Sequence, residues 1–174
     1  MDVWVFGYGS LIFRADFVFV ERRVACLHGY ARRFWQASPD HRGTPEAPGR
    51  VVTLIPDARS SVIGAAYRIR EADTGAVLAA LDHRERAGYE RIEVEVEFLD
   101  EPPGTARALV YRARPENPSY GALPNPELAA IIRVAVGPSG DNASYLRQLA
   151  AALRELGAYD EHVFELERLI REKG

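Results

Sequence analysis

Residues 1–13 read MDVWVFGYGSLIF, in which an apolar segment runs directly into a loop with two glycines. The pattern of 3–7 predicts a β-strand, and Gly7 and Gly9 would let the following backbone take positive φ values. N–H groups in such a turn can converge on a carboxylate or an oxyanion, although a purely structural turn fits the same residues. The third glycine of a dinucleotide-binding loop and the Gly-Lys-Ser/Thr of a Walker loop are both missing, so no nucleotide site is indicated.

The rest of the chain predicts more strands and then a run of helices. Strand patterns occupy 51–55, 62–69, 90–99 and 105–113. The stretch 90–99 alternates apolar and charged residues, as a strand with one buried face does, and a turn at 100–104 pairs it with the strand that follows. Between the first two of these strands, Pro and Ser residues at 56–61 predict another turn.

Helical spacing of apolar residues is concentrated in the second half of the chain. Four helices are predicted: one over about 73–83 with Asp73 or Thr74 as its cap, one with Asn125 as its cap, one that starts near Asp141 or Asn142, and one that starts at Asp160. Strands with helices packed on them indicate the α+β class. A length of 174 residues predicts one domain over 1–174.

Composition excludes several classes of partner. The net charge of −3 and the pI near 5.8 give no electrostatic basis for binding nucleic acid or an anionic membrane. No run of about 18 apolar residues predicts a spanning helix, and the N-terminus does not have the pattern of a signal peptide. The single cysteine, Cys26, excludes an internal disulfide framework. We therefore expect a cytoplasmic protein.

A carboxylate with catalytic potential is found in LDHRERAGY, residues 81–89, between a predicted helix and strand. Asp82 and Glu85 are three residues apart and can share one helical face. In a partly apolar pocket the pKa of Glu85 would rise, which would make this side chain an acid or base near neutral pH. A solvated charge cluster with local ion pairs is the alternative, and it explains the same residues.

Other chemistry is less well supported. The four histidines are scattered without ligand spacing, so no metal site is predicted. Cys26 lies among apolar residues and is expected to be a buried, inert thiol. Ser10 lacks the sequence context of a hydrolase nucleophile. Arg42, in the proline-rich loop predicted over 36–50, could bind a carboxylate or form a structural ion pair, and Tyr120 could line a pocket or pack on the surface.

Several strings in a fixed order resemble the ChaC family of glutathione-specific γ-glutamylcyclotransferases. They are VFGYGSLI (5–12), RRFWQ (32–36), DHRG (40–43), PEAPGRVVTL (45–54), GAAYR (64–68), LDHRE (81–85) with Gly88-Tyr89, and GPSG (137–140) followed by Asn142. The resemblance extends through nearly the whole chain. Two positions depart from the family. Phe13 stands where many members have Trp. Some members carry an additional acidic residue in the helix before the catalytic residue, and this chain has Ala76 near that position.

This resemblance implies a γ-glutamylcyclotransferase-like fold, a small mixed barrel-like sheet with flanking helices. It implies that Tyr8, Gly9, Ser10 and Leu11 form the substrate cradle and that Glu85 is the catalytic acid/base. The implied reaction converts glutathione into 5-oxoproline and Cys-Gly without a cofactor. The monomer and the homodimer remain equal expectations for the assembly.

The implied reaction is an intramolecular aminolysis and needs no enzyme nucleophile. The substrate's γ-glutamyl arm must be curled, its α-ammonium must lose a proton, and charge on the carbonyl oxygen must be stabilised. The glycine turn could stabilise that oxygen or bind the α-carboxylate, and the sequence leaves both open. A cyclotransferase for other γ-glutamyl amides or dipeptides, and a noncatalytic module that binds a γ-glutamyl metabolite, are the alternative functions.

Overall fold

The computed structural model describes residues 1–85 and 88–172, which divide into two compact units. The first unit contains Met1–Ala31 and Leu54–Asn117, and the second contains Arg32–Thr53 and 118–172. Both strands and helices occur, so the predicted α+β class is confirmed. That the chain acts as one domain stays a prediction. No helix in the described residues has the length and apolar character needed to cross a membrane.

Five strands form a closed barrel in the order β1-β3-β2-β4-β5. They are β1 (Val3–Gly7), β2 (Glu21–Ser38), β3 (Gly49–Ile69), β4 (Tyr89–Phe98) and β5 (Gly104–Ala113). Strand β1 pairs antiparallel with β3 and parallel with β5, which confirms the mixed, barrel-like sheet that the family resemblance implied. Two short strands, β6 (Val136–Gly137) and β7 (Gly140–Asp141), form a separate pair.

The β4–β5 hairpin has the pattern that its sequence predicts. All ten residues of β4 pair antiparallel with β5, from Tyr89 opposite Ala113 to Phe98 opposite Gly104. Val96 and Phe98 are buried, whereas Glu95 and Glu97 are exposed, so the alternation marks one dry and one wet face.

Two strand predictions are wrong. The segments 51–55 and 62–69 belong to the single strand β3, and no turn interrupts it at 56–61. Pro56 is exposed there, and Asp57 accepts hydrogen bonds from the Arg59 amide and the Ser60 hydroxyl at 3.1 and 2.7 Å. These local polar contacts satisfy groups beside the proline without turning the chain, and an exposed proline is tolerated in a strand where its missing N–H is not needed.

Strand β2 was not predicted, and its extension to Ser38 shortens the loop expected over 36–50 to residues 39–48. Arginines in the strand conceal its pattern, because Arg23 and Arg32 are buried although they are charged. Each is paired: Arg23 Nε lies 2.8 Å from Asp100 Oδ1, and Arg32 Nη1 lies 2.6 Å from Asp160 Oδ2. A buried arginine needs such a partner, which the sequence does not reveal.

Five helices are found in the described residues: α1 (Ser10–Phe13), α2 (Glu71–Arg84), α3 (Asn125–Val134), α4 (Asn142–Glu155) and α5 (Glu161–Arg171). Asp141 and Asp160 cap α4 and α5 as predicted. The predicted caps of α2 and α3 are wrong, because Arg70 and Pro124 occupy those positions without a side-chain cap.

Helix α2 is anchored in the first unit by its apolar face. Val77 and Leu81 are buried in one cluster with Val5 of β1, Ile69 of β3 and Tyr111 of β5. Burial of a Val or Leu side chain contributes about 1.5–3 kcal/mol. Since Leu81 lies in the last turn, this packing fixes the C-terminal end of α2, where the candidate carboxylate Glu85 follows.

Candidate active site

The turn after β1 is shaped by close packing and not by positive φ. Gly9 has φ −131°, and neither Gly7 nor Gly9 is among the glycines with positive φ, so that expectation is wrong. A Cβ on Gly7 would lie 2.7 Å from Leu11 Cβ, and a Cβ on Gly64 would lie 2.2 Å from the Gly7 carbonyl oxygen. Glycine is therefore needed here because the turn folds back on itself and against β3.

Three contacts hold the segment from Tyr8 to Ile12 in place. The Tyr8 hydroxyl donates to the Tyr111 carbonyl oxygen at 2.5 Å. The Tyr67 hydroxyl donates to the Leu11 carbonyl oxygen at 2.5 Å, and Arg22 Nη2 donates to that of Ile12 at 3.3 Å. All three bonds use carbonyl oxygens as acceptors, so they fix the segment without occupying its N–H groups.

The N–H groups of Gly9, Ser10 and Leu11 donate to no acceptor in the described residues. Their carbonyls do take part in the turn, since Ile12 N donates to Gly9 O at 3.0 Å and Arg14 N donates to Ser10 O at 2.7 Å. Successive amides without acceptors suit a carboxylate or an oxyanion. The available donors are compatible with anion binding, which stays a prediction for this turn, as does the purely structural interpretation.

Glu85 is brought to the turn by the end of α2. It follows the last helical residue, Arg84, and its amide donates to the Leu81 carbonyl oxygen at 2.9 Å. Arg84 Nη2 donates to Ser10 Oγ at 2.7 Å, and Arg84 Nε lies 3.9 Å from Glu85 Oε1. One guanidinium thus contacts both the turn and the candidate carboxylate, whose side chain is 22% exposed. The local ion pair matches part of the alternative interpretation, and the catalytic role of Glu85 stays a prediction.

Asp82 has a different environment from Glu85. Arg91 Nη1 donates to its two carboxylate oxygens at 3.0 and 3.1 Å, and the Tyr111 hydroxyl donates to Oδ1 at 2.6 Å. Burial raises the pKa of Tyr111 to about 12, and the bond to Asp82 acts in the same direction, so this hydroxyl keeps its proton at neutral pH. Asp82 therefore links α2 to β4 and β5.

The two remaining candidate residues, Arg42 and Tyr120, belong to the second unit. Arg42 is buried, its Nη1 donates to the Asp141 carbonyl oxygen at 3.3 Å, and its guanidinium lies 5.5 Å from the Tyr145 ring centre. Tyr120 forms an isolated antiparallel bridge with Gln36. Their roles in substrate binding stay predictions.

Other chemistry is not supported by the described residues. Among them, no group of three or more His, Cys, Asp or Glu side chains is arranged to hold a metal ion. Burial raises the pKa of the Cys26 thiol, which keeps it in the less reactive protonated form.

Sequence reasoning missed Arg84 and Tyr111 as parts of this site. Arg84 was covered only by the local ion pairs expected within residues 81–89, and Tyr111 only by the strand predicted over 105–113. The signal for Tyr111 was its register, because it lies opposite Arg91 in the predicted hairpin. No local signal pointed from Arg84 to Ser10, which lies 74 residues earlier in the chain.

Comparison with known proteins gives matches over most of the chain. A family model described as "ChaC-like protein" matches residues 3–173. "Glutathione-specific gamma-glutamylcyclotransferase 1" of Homo sapiens is 41% identical over 92% of this chain and 75% of its own length. "Gamma-glutamylcyclotransferase 2-3" of Arabidopsis thaliana is 41% identical over 98% of this chain and 89% of its own. A crystal structure of the glutathione-specific γ-glutamyl cyclotransferase from yeast is similar with a TM-score of 0.91 and 31% identity, covering 98% of this chain and 96% of that one.

Proposed function

This chain belongs to the ChaC family, and from that premise we propose that it is a γ-glutamylcyclotransferase that converts glutathione into 5-oxoproline and Cys-Gly. One observation of the site carries the proposal. Glu85 follows Arg84, whose guanidinium donates to Ser10 Oγ in the turn after β1, and the Gly9, Ser10 and Leu11 amides of that turn have no acceptor in the described residues. A base next to a set of amide donors is what an intramolecular aminolysis requires.

The chemistry begins with the α-ammonium group of the substrate, which must lose a proton before it can attack. Glu85 accepts that proton, and the freed nitrogen forms a bond to the γ-carbonyl carbon. In the tetrahedral intermediate, Glu85 returns this proton to the cysteinyl nitrogen and takes a second proton from the ring nitrogen. The bond from the γ-carbonyl carbon to the cysteinyl nitrogen then breaks, and the second proton passes to the released amine, which leaves as the ammonium group of Cys-Gly. The products are 5-oxoproline and Cys-Gly, and neither water nor an external reductant enters the balance.

The turn supplies binding and charge stabilisation in this scheme. Gly9, Ser10 and Leu11 direct amide donors at an anionic oxygen, either the α-carboxylate or the developing oxyanion, and Tyr8 forms the wall that fixes their position. Holding the γ-glutamyl arm curled is the larger contribution, because well-oriented intramolecular reactions gain about 7–11 kcal/mol. Arg42 and Tyr120 are proposed to bind the remainder of the substrate.

The proposal extends to the protein as a whole. Residues 1–174 act as one domain in the cytoplasm, as a monomer or a homodimer. The single cysteine suits a compartment in which thiols stay reduced. Cell fractionation tests the compartment, and size-exclusion chromatography of the native protein distinguishes the monomer from the homodimer.

The deciding experiment measures 5-oxoproline released from glutathione by the wild type and by Glu85→Gln. Loss of general acid/base catalysis is expected to lower turnover by about 10²–10⁴-fold. Glu95→Gln is the matched control, because Glu95 is an exposed glutamate of β4, and it should keep full turnover. γ-Glutamyl-alanine serves as a second substrate and tests whether another γ-glutamyl amide is preferred. Retained turnover in Glu85→Gln would overturn the role of this residue, and absence of 5-oxoproline in the wild type would overturn the function.

A further inference from the structure

We propose that Arg84 is a positioning residue that makes the Ser10 hydroxyl a hydrogen-bond donor toward the substrate, an inference that rests on the proposed function. Arg84 ends α2, and its Nη2 lies 2.7 Å from Ser10 Oγ. The guanidinium is only 30% exposed, so this contact is partly shielded from water. No other side chain in the described residues hydrogen-bonds to Ser10 Oγ.

The direction of this hydrogen bond follows from the chemistry of the two groups. A guanidinium has five N–H donors and no acceptor, so Ser10 Oγ must be the acceptor. The hydroxyl proton of Ser10 then has to point elsewhere, and within the described residues it meets no acceptor. A donor that is itself hydrogen-bonded to a cation is polarised and donates more strongly.

A Ser10 hydroxyl that donates toward the substrate matches the neighbouring backbone groups, which are also donors. The amides of Gly9, Ser10 and Leu11 are donors without acceptors in the described chain, and the Ser10 hydroxyl adds a fourth donor to the same turn. Had the hydroxyl been left to rotate freely, it could equally have presented a lone pair to the substrate. An anionic oxygen would be repelled by that lone pair. The contact with Arg84 occupies one of the two lone pairs of Ser10 Oγ and so favours the orientation in which the proton faces the substrate.

A purely structural role for Arg84 predicts a different geometry. Arginines in a last helical turn stabilise the helix through its carbonyls, and Arg84 would also stabilise Glu85 through their ion pair. The Arg84–Glu85 separation of 3.9 Å is longer than a hydrogen bond, whereas the contact with Ser10 has hydrogen-bond length. The shorter contact ties Arg84 to the turn, and the test must therefore separate its action through Ser10 from any general support of the helix.

The test is a double-mutant cycle on kcat/KM for glutathione with Arg84→Met, Ser10→Ala and the double variant. If Arg84 acts through Ser10, each single change should lower kcat/KM by about 10–100-fold, the size of a hydrogen bond to a charged group. The double variant should then lose no more than about threefold beyond the single variants. Arg84→Lys keeps a cationic donor and should recover at least about tenfold of the loss.

Arg70→Met is the matched control, since Arg70 is an exposed arginine at the other end of α2 that pairs with Asp73. It should leave kcat/KM unchanged. Multiplication of the two single effects in the double variant would overturn the proposal, as would a failure of Arg84→Lys to recover activity. Should Arg84→Met not fold by thermal melting, Arg84→Gln replaces it in the cycle.

A second readout separates this inference from the proposed function. The same cycle is measured as binding of 5-oxoproline by calorimetry, which requires no turnover. If the wild type released no 5-oxoproline from glutathione, the function would fail, while the binding cycle would still decide whether Arg84 and Ser10 act as one unit. Coupled losses of binding support the proposal, and independent losses overturn it.

Discussion

Two segments of the chain present backbone amides at the start of a helix and treat them in opposite ways. At Asp141, the carboxylate accepts hydrogen bonds from the Ser144 amide and the Ser144 hydroxyl at 2.9 and 2.8 Å. At Gly9 there is no side chain to accept, and the amides from Gly9 to Leu11 have no acceptor in the described residues. Asp caps α4 and α5, whereas α1 has no side-chain cap, as is also true of α2 and α3. At Gly9 the donors are available to an anionic ligand, which can take the place of a cap.

Two buried polar side chains of the second unit, His162 and Asn142, are paired with backbone groups. The Phe34 amide donates to His162 Nε2 at 3.0 Å, and burial lowers the pKa of His162 to about 4, so the ring stays neutral and accepts. Asn142, which is fully buried, accepts from the Arg50 amide at 2.6 Å and donates to the Arg50 carbonyl oxygen at 2.8 Å. Such pairing stabilises the fold, and the Gly9, Ser10 and Leu11 amides lack it within the described residues.

The largest effect on stability is expected from Asn142→Ala. This change leaves both the Arg50 amide and the Arg50 carbonyl oxygen without their side-chain partner in a buried place. Each unsatisfied buried group costs about 1–3 kcal/mol, so the free energy of unfolding should fall by about 2–6 kcal/mol. Urea unfolding followed by circular dichroism measures the loss.

Asn125→Ala is the control for that measurement. Asn125 begins α3, but its side chain does not cap the helix. The change should alter the free energy of unfolding by less than about 0.5 kcal/mol. Equal losses in the two variants would mean that the paired asparagine contributes nothing special, and the contrast between the two segments would lose its energetic basis.

A smaller effect with a defined pH dependence is expected at Asp141. Hydrogen bonds from the Ser144 hydroxyl and then from its amide hold the pKa of Asp141 below its ordinary value of 3.8. A carboxyl with a lowered folded-state pKa contributes stability above its unfolded pKa and loses that contribution as the pH falls through the folded pKa. Asp141→Ala should therefore cost about 1–2 kcal/mol at pH 6 and less below pH 3.

Asp141→Asn separates the charge from the cap. Asparagine keeps an oxygen acceptor for Ser144, so this variant should lose less than Asp141→Ala at pH 6. Its difference from the wild type should shrink as the pH is lowered to 3, because only the wild type loses a charge there. A difference that stayed constant from pH 6 to pH 3 would contradict the lowered pKa.

Whether a structural feature could be predicted from the sequence depends on how far apart in the chain its interacting residues lie. Asp141 and Asp160 were predictable as caps, since their acceptors serve amides three residues later. The β4–β5 hairpin was predictable from its alternation. Strand β2 was not, because its buried arginines are neutralised by Asp100 and Asp160, which lie 77 and 128 residues away.

The same rule applies to the candidate site, where local features were predictable and tertiary contacts were not. The glycine turn and the carboxylate of Glu85 each have a local signature, so sequence and family resemblance identify both. The link between them is tertiary, because it depends on Leu81 packing against the barrel strands and bringing Arg84 to Ser10. The reason for Gly7 was missed for a similar cause, since the close approach of Leu11 and Gly64 appears only in the folded chain.

The smallest effect is expected from Tyr8→Phe, which tests whether this hydroxyl is part of the scaffold or part of the chemistry. The hydroxyl donates to the Tyr111 carbonyl oxygen, and Tyr8 is buried, so its removal should lower the free energy of unfolding by about 0.5–1.5 kcal/mol. Because the Gly9–Leu11 amides keep their other supports from Tyr67 and Arg22, kcat/KM should stay within about threefold of the wild type.

Tyr159→Phe is the control for the lost hydroxyl, because Tyr159 is 78% exposed and its removal should change neither stability nor turnover. A loss of turnover greater than about 100-fold in Tyr8→Phe, with unchanged stability, would show that the hydroxyl acts on the substrate, since 100-fold corresponds to about 2.7 kcal/mol of transition-state stabilisation. Tyr8 would then belong to the groups that act on the substrate, together with the amides from Gly9 to Leu11. It would no longer count as part of the hydrogen-bonded scaffold that holds those amides.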